Sequence, residues 1–271
     1  MTVCIAAVCA EGANIVVAAD RMFTFLFPLN TEFETEERKV EQLGPTCVAL
    51  VSGDSTAGTE VLAGARNKLR NQPDAKILEV AGWIKEDYTA LRDRRAHETI
   101  VAPALGSDFK EHSARGMTLP AYLQPQPQVY QQLVMMAGQH NLGVEALMAG
   151  IDETGACLSL IVNPGVLVNL DKLGYHCIGT GGIHALTWLS LSGQTRSRGL
   201  IETLHSVYEA KRAAEVAPGV GKATDIMVID SKKESHHCSD EVLNALKRLH
   251  SQAARRSVPN LDQLRKVFDA E

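Results

Sequence analysis

The chain has 271 residues, of which 45% are hydrophobic and 22% are charged, and its formal net charge is −5. A chain of this length and apolar content can bury a full core without disulfides or a structural metal, and its composition excludes disorder. Acidic residues outnumber basic ones by 32 to 27 and aromatic residues make up only 5%. These proportions argue against nucleic-acid binding that is driven by bulk charge or by base stacking.

The N-terminal segment and the cysteines indicate a compartment. No apolar run approaches the roughly 18 residues that a membrane span needs. The first residues lack the basic region and the long apolar region of a signal peptide. Six cysteines are scattered along the chain without a CxxC pair, at Cys4, Cys9, Cys47, Cys157, Cys177 and Cys238. Most lie in apolar runs, where a thiol acts as a small hydrophobe, so we expect a reduced, cytoplasmic protein without membrane association.

The first hundred residues predict strands and then helices. Four apolar runs of strand length occur at 2–9, 15–19, 39–43 and 47–51. A glycine-containing turn joins the first two runs into a buried β-hairpin. The segment 22–37 is irregular and then acidic, and no element is expected there. Helical periodicity follows at about 56–69 and 76–98.

The stretch 99–143 is the least regular part of the chain. It contains four prolines and a Gln-Pro-Gln-Pro-Gln run, so we expect a helical insertion with a Pro-rich link. Beyond it, four strands are predicted at 146–151, 157–162, 166–170 and 175–178. Two helices at about 183–191 and 198–216 come next. A last strand at 224–230 precedes two C-terminal helices, near 239–254 and 260–269.

Blocks of antiparallel-type strands thus alternate with pairs of helices. This order predicts two sheets that are covered on the outside by helices, because each sheet must bury its apolar faces. We therefore expect the α+β class and a four-layer α-β-β-α sandwich. The whole chain, 1–271, would form a single domain with the insertion near 99–143 and a C-terminal helical extension near 239–271.

Five polar or glycine positions lie at the ends of predicted strands: Thr2, Asp20, Lys39, Gly53 and Thr180. Together, and in this strand order, they resemble the N-terminal nucleophile (Ntn) hydrolases of the proteasome β-subunit family. The matching segments include TVCIAAV, NIVVAADR, RKVEQLGPTCVALVSGDSTAG and YHCIGTGGIHA. The Met-Thr-x-Cys start is most similar to the bacterial proteasome homologues called Anbu. The resemblance covers about 1–60, 76–96 and 145–235.

The resemblance implies that Thr2 is the nucleophile once Met1 has been removed. A threonine hydroxyl needs a base to take its proton, and an N-terminal α-amine lies within reach of its own side chain. The reference pKa of that amine, ~7.7–8.0, leaves an appreciable unprotonated fraction at neutral pH. By the same resemblance, Lys39 is a cation that lowers the pKa of the amine and the hydroxyl. Asp20 would pair with Lys39 and orient it.

The remaining site residues follow from the same comparison. The backbone N–H of Gly53 would form the oxyanion hole. Thr180 stands where the family usually has a serine, and it keeps a hydroxyl near the amine. Glu215 lies near the position of a family aspartate and is a candidate amine-orienting residue. Gly219 falls where the family has a serine, and the 99–143 insertion has no obvious counterpart.

The function implied is a threonine-type peptidase or amidohydrolase that acts on peptide or protein substrates. We expect a homo-oligomer, either a ring or a stacked assembly, with no cofactor and no metal; an ATPase partner stays open. Three alternatives also stay open: an inactive ring-forming scaffold subunit, an acyl-transfer or peptide-ligase relative, and a binding module without catalysis. Retention of Met1 would exclude the threonine mechanism.

Other motifs favour no different chemistry. The segment 218–225 (PGVGKATD) is not a phosphate-binding P-loop, because Val216 and Ala223 stand where that motif needs Gly and Ser or Thr. His236-His237-Cys238 offers metal-ligand residue types, but it follows a charged stretch that favours an exposed loop. The sequence has no Gly-x-Ser-x-Gly, so an α/β-type serine hydrolase is not supported.

Overall fold

The computed structural model of the protein describes residues 2–25, 31–34, 38–105, 127–230 and 234–256. They form a mixed α+β structure with two five-stranded antiparallel sheets, a separate two-stranded hairpin and helices. The chain divides into two compact units, Met1–His236 and His237–Glu271. Every residue of the candidate site belongs to the first unit.

The strands in chain order are β1 (Cys4–Cys9), β2 (Asn14–Asp20), β3 (Met22–Phe25), β4 (Thr31–Glu34), β5 (Val40–Gly44), β6 (Cys47–Gly53), β7 (Val144–Asp152), β8 (Gly155–Val162), β9 (Val166–Asn169), β10 (Tyr175–Ile178), β11 (Thr224–Asp230) and β12 (Ser235–His237). The helices are α1 (Ser55–Asn71), α2 (Ile77–Ala96), α3 (Ala102–Leu105), α4 (Pro127–Gly138), α5 (Gly182–Leu191), α6 (Leu200–Ala214) and α7 (Asp240–Arg256). A π-helical turn, His97–Val101, connects α2 to α3.

The first sheet has the order β10-β1-β2-β11-β12 and is built around the opening hairpin. Every residue of β1 is buried, as the continuous apolar run predicts for a central strand with both faces covered. The hairpin register pairs Cys4 with Ala19. Because Thr2 precedes β1 and Asp20 ends β2, this register brings the two residues to the same end of the sheet.

The second sheet has the order β5-β6-β7-β8-β9. One hydrophobic core lies between the two sheets and includes Val17 from β2, Leu147 from β7 and Leu158 from β8. Another core lies between the second sheet and the helices α1 and α2, around Val61 and Ile84. On the first sheet, α6 packs against β1 and β2, and α5 packs against α6. Residues of both sheets thus share one core, and each sheet also contacts helices.

The predicted order of strands and helices is confirmed in the described residues, and three segments need comment. The expectation of an irregular segment at 22–37 is wrong where β3 and β4 pair, with Phe23 opposite Phe33. The two strands are short, few residues separate them, and one of them is acidic. The alternation of apolar and polar residues within them is therefore too brief to distinguish them from a loop. Part of the 99–143 stretch is helical, in the π turn, α3 and α4. The predicted helix near 260–269 lies outside the described residues.

Candidate active site

The hydroxyl of Thr2 lies at the centre of a buried polar cluster. Thr2 is only 3% exposed, and its Oγ1 donates a hydrogen bond to Asp20 Oδ1. The same oxygen accepts a hydrogen bond from Lys39 Nζ at 2.7 Å. Lys39 Nζ also contacts Asp20 Oδ1 at 3.0 Å. One hydroxyl, one carboxylate and one ammonium thus contact each other pairwise at the end of the first sheet.

Asp20 is completely buried, and backbone N–H groups fix its orientation. Val3 donates to Oδ1 at 3.0 Å, while Met22 and Gly221 donate to Oδ2, each at 3.0 Å. A buried carboxylate is costly unless it is paired and hydrogen-bonded, and here Lys39 supplies the countercharge. The position of the carboxylate therefore depends on three separate parts of the chain: the start of β1, the end of β2 and the loop before β11.

A second buried carboxylate supports this cluster from the neighbouring strand. Asp225 in β11 is 2% exposed and pairs in register with Ala19 of β2. It forms ion pairs with Arg21 and Arg38, at 3.6 and 3.7 Å. These arginines are the sequence neighbours of Asp20 and Lys39. Asp225 therefore anchors the backbone on both sides of the contact between the carboxylate and the lysine.

The nitrogen of Thr2 faces Thr180, in the turn between β10 and α5. Thr2 N donates to Thr180 Oγ1 at 3.3 Å, and Gly181 N donates to the Thr2 carbonyl at 3.2 Å. Gly179 has φ +86°, and a Cβ there would clash with the Thr2 carbonyl oxygen. A glycine is required for this close approach. Because Met1 precedes Thr2 in the sequence, the Thr2 nitrogen is an amide as long as Met1 is attached.

Gly53 ends β6, where the strand turns into α1. Its φ is +99°, and a Cβ there would clash with the Gly143 carbonyl oxygen, so a side chain cannot be accommodated. The next residue, Asp54, caps α1 by accepting hydrogen bonds from the amides of Thr56 and Ala57. The structure thus explains why residue 53 is a glycine, and places its peptide at the end of the second sheet.

Glu145 connects the two sheets beside the site, and no functional role was predicted for it from the sequence. Its Oε2 accepts hydrogen bonds from Ser52 Oγ at 3.1 Å and from Gly179 N at 3.2 Å. One carboxylate oxygen therefore bridges the neighbour of Gly53 and the neighbour of Thr180. In the sequence, Glu145 is visible only as a charged residue near the start of an apolar strand. The register of β6 with β7, which places Ser52 opposite Glu145, was needed to interpret it.

Glu215, the candidate amine-orienting residue, has other contacts. Its Oε1 accepts from Lys211 Nζ at 2.6 Å and from Arg212 Nη1 at 2.8 Å. Among the described residues, no hydrogen bond joins Glu215 to Thr2. Gly219, where a serine was expected from the resemblance, has φ +74°, a left-handed conformation that favours glycine.

Lys211 is a further residue that the sequence did not single out. It is fully buried, and its Nζ also donates to the carbonyl oxygens of Gly221 and Lys222, each at 2.8 Å. Burial lowers the pKa of Lys211, while the hydrogen bond to Glu215 opposes that shift. In sequence, Lys211 resembles an ordinary basic residue of a helical C-terminal turn, where cations are common.

A thiol close to the site is not a rival nucleophile. Cys4 is completely buried in β1, and its Sγ contacts the Val51 carbonyl oxygen at 3.7 Å. Burial raises the pKa of Cys4 to about 12, so the thiol stays protonated at neutral pH. Since the thiolate is the reactive form of cysteine, the hydroxyl of Thr2 is the better candidate.

Two further searches concern other classes of site. Within the described ranges, no group of three or more His, Cys, Asp or Glu side chains could hold a metal ion. No helix in the part of the chain that the structure describes combines the length and apolar content needed to cross a membrane.

Comparison with known proteins gives no relative: no protein-family model matches the chain, and no curated protein matches it either. Arguments about the site therefore depend on its own geometry.

Proposed function

We propose that the protein is an N-terminal threonine hydrolase of the proteasome-like Ntn type, acting on peptide or amide bonds. The observation that carries the proposal is the position of Thr2. Its Oγ1 contacts both Asp20 Oδ1 and Lys39 Nζ, and its nitrogen lies on Thr180 Oγ1. The hydroxyl of a surface threonine is hydrogen-bonded to water. It does not require a buried ammonium and a buried carboxylate as partners.

The packing of the sheets and helices supports the matching architecture. The two sheets share one core, α1 and α2 cover the second sheet, and α6 contacts the first. This arrangement agrees with a four-layer α-β-β-α sandwich. It would place Thr2, Asp20 and Gly53 at strand ends, with Lys39 directly before β5.

The proposed reaction begins when Met1 is removed and the Thr2 nitrogen becomes an amine. The amine takes the proton of Oγ1, and the ammonium of Lys39 stabilises the negative charge that develops on that oxygen. Oγ1 then forms a bond to the substrate carbonyl carbon. The carbonyl oxygen becomes an oxyanion, for which the Gly53 N–H is the candidate donor.

The second half of the reaction returns the site to its starting state. The tetrahedral intermediate collapses, the carbon–nitrogen bond breaks, and the leaving amine takes the proton held by the α-ammonium. The product is an ester of Thr2. Water, deprotonated by the α-amine, attacks the carbonyl carbon of this ester. The bond between that carbon and Oγ1 breaks, Oγ1 takes the proton back from the α-ammonium, and the acid is released. Asp20 keeps Lys39 directed at Oγ1 through its contact with Lys39 Nζ.

The proposed homo-oligomer has a candidate contact surface on α5 and the start of α6. Large apolar side chains are exposed there, including Ile183, Trp188, Leu191 and Ile201. Exposed apolar groups of this size on neighbouring helices are typical of surfaces that pack against another protein. We place the contact between copies of the chain on this helix pair.

Intact-mass measurement combined with covalent labelling tests the proposal. The expected result is a chain that lacks Met1 and gains the mass of one threonine-directed electrophile, such as a β-lactone, at Thr2. The Thr2→Ala variant is the control and should gain nothing. Retained Met1, or equal labelling of Thr2→Ala, would contradict the mechanism. Product analysis with an added amine then separates hydrolysis from acyl transfer.

A further inference from the structure

Lys211 forms an unusually complete set of contacts for a lysine. Its ammonium has three N–H groups, and it has three acceptors: Glu215 Oε1 at 2.6 Å and the carbonyl oxygens of Gly221 and Lys222 at 2.8 Å. The side chain is 0% exposed. A buried ammonium is tolerated only where such partners replace water. Lys211 is therefore fixed in place, and it fixes its acceptors in turn.

Its backbone acceptors belong to the loop between α6 and β11, residues 215–223. This loop contacts two partners of Thr2, Asp20 and Thr180. Gly221 N donates to Asp20 Oδ2 at 3.0 Å, and the Pro218 carbonyl oxygen lies 3.4 Å from Thr180 Oγ1. The same peptide region that accepts from Lys211 through Gly221 O thus donates to Asp20 through Gly221 N.

The charged groups around Lys211 do not offer another explanation for its burial. Glu215 is its ion-pair partner, and Arg212 on the same helix shares that carboxylate. Asp20 acts on Lys211 only as a more distant charge. A salt bridge to Glu215 alone does not require the ammonium to be buried. Burial of the Lys211 ammonium adds its two hydrogen bonds to the carbonyl oxygens of Gly221 and Lys222.

We propose that Lys211 is a positioning residue of the Thr2 site, which holds the loop 215–223 so that Gly221 N reaches Asp20 and Pro218 O reaches Thr180. This inference rests on the proposed threonine hydrolase function. Lys211 does not touch the reacting atoms and acts through the loop.

The test compares Lys211→Met with Thr203→Val in the full chain. Methionine keeps the length and apolar stem of lysine but donates no hydrogen bond. Thr203 is equally buried on α6 and has its polar contact with Gln194, remote in sequence from the loop, so it controls for the loss of a buried polar group. Both variants are labelled with the β-lactone, and the inactivation rate constant, the probe concentration for half-maximal rate, and the labelled fraction are measured separately.

For Lys211→Met we expect the inactivation rate constant to fall at least about tenfold, since small misplacements of reacting groups have large effects on rate. The half-saturating probe concentration and the labelled fraction should stay near wild type. Thr203→Val should keep all three values. A purely structural role would instead lower the labelled fraction and leave the rate constant of the folded molecules unchanged, which would overturn the proposal.

Hydrogen–deuterium exchange separates a failure of this inference from a failure of the proposed function. Amides at 216–223 should exchange faster in Lys211→Met and at the wild-type rate in Thr203→Val. Unchanged exchange in Lys211→Met overturns the positioning role whether or not Thr2 reacts. An unlabelled wild type would contradict the hydrolase proposal itself. If Lys211→Met does not fold, Glu215→Gln replaces it, with an expected fall of a few-fold in rate constant; no fall would overturn the proposal.

Discussion

The two sides of Thr2 are held in different ways. On the hydroxyl side, Oγ1 contacts Asp20 and Lys39, and Asp20 accepts hydrogen bonds from three backbone N–H groups. On the nitrogen side, the contact is with Thr180 Oγ1 at 3.3 Å. That hydroxyl also lies near two carbonyl oxygens, of Thr2 and Pro218, and its one hydrogen can reach only one of them at a time.

Under the proposed threonine mechanism, this difference means that the site is assembled before it can react. The hydroxyl side is complete while the nitrogen is still an amide. An amide N–H can donate a hydrogen bond but cannot accept a proton, so the base is missing. Removal of Met1 changes only the nitrogen side, where the amide becomes an amine with a lone pair.

The largest effect should come from keeping the Thr2 nitrogen as an amide. A tag that precedes Thr2 and ends in a protease site gives a blocked chain and, after cleavage, a chain that starts at Thr2. We expect no β-lactone labelling of the blocked chain and full labelling after cleavage. The midpoint of thermal unfolding should be the same for both, because the hydroxyl side is already formed. Labelling of the blocked chain would show that the nitrogen side is not the base.

Loss of Lys39 should have the next largest effect, because it acts on the hydroxyl itself. Lys39→Met removes the ammonium 2.7 Å from Oγ1 and should slow labelling by about 10²- to 10³-fold. It also leaves the buried Asp20 carboxylate without its ion pair, so the free energy of unfolding should fall by about 3 kcal/mol. Urea titration and labelling kinetics measure the two effects.

Lys68→Met is the matched control for this substitution. Lys68 pairs with Glu86 at the surface, where ion pairs contribute little. We expect no change in labelling and a change in stability below about 1 kcal/mol. If Lys39→Met labels as fast as Lys68→Met, the ammonium has no part in activating the hydroxyl.

Gly53→Ala tests the end of the second sheet, where the Gly53 N–H is the proposed oxyanion-hole donor. At φ +99° an alanine is strained, and its Cβ would meet the Gly143 carbonyl oxygen. We expect a loss of about 2 kcal/mol or more in stability and slower labelling, since the peptide must move. Gly82→Ala is the control: a Cβ there meets nothing within 4 Å, and helix α2 should gain up to about 1 kcal/mol. Unchanged labelling in Gly53→Ala would remove this peptide from the proposed oxyanion hole.

The resemblance to proteasome-type Ntn hydrolases implied these site positions, each of which stands where a predicted strand begins or ends. Thr2, Asp20 and Lys39 adjoin apolar runs whose ends are easily located, and the hairpin register then brings the first two together. Contacts that depend on pairing between distant strands could not be predicted in this way. Glu145 reaches Ser52 and Gly179 only because β6 pairs with β7 and the two sheets face each other.

The sequence also does not show which polar side chains are buried, and this explains why the other residues near the site were not predicted. Lys211 and Arg212 are adjacent basic residues at a helix end, yet one is fully buried and the other is partly exposed. The helix periodicity does not show which of them faces the loop 215–223. The same limit affected Glu215, whose sequence position suggested the Thr2 amine, whereas its contacts are with these two side chains.

The smallest effect should come from Thr180, on the nitrogen side. Thr180→Val keeps the shape of the side chain and removes the hydroxyl, which is 3.3 Å from Thr2 N. One neutral hydrogen bond contributes about 0.5–1.5 kcal/mol, so labelling should slow by roughly three- to tenfold. Thr180→Ser keeps the hydroxyl and should stay within about twofold of wild type. If Thr180→Val slows labelling as much as Lys39→Met, the nitrogen side is as tightly specified as the hydroxyl side. The two sides would then differ only in that the Thr2 nitrogen is an amide while Met1 is attached.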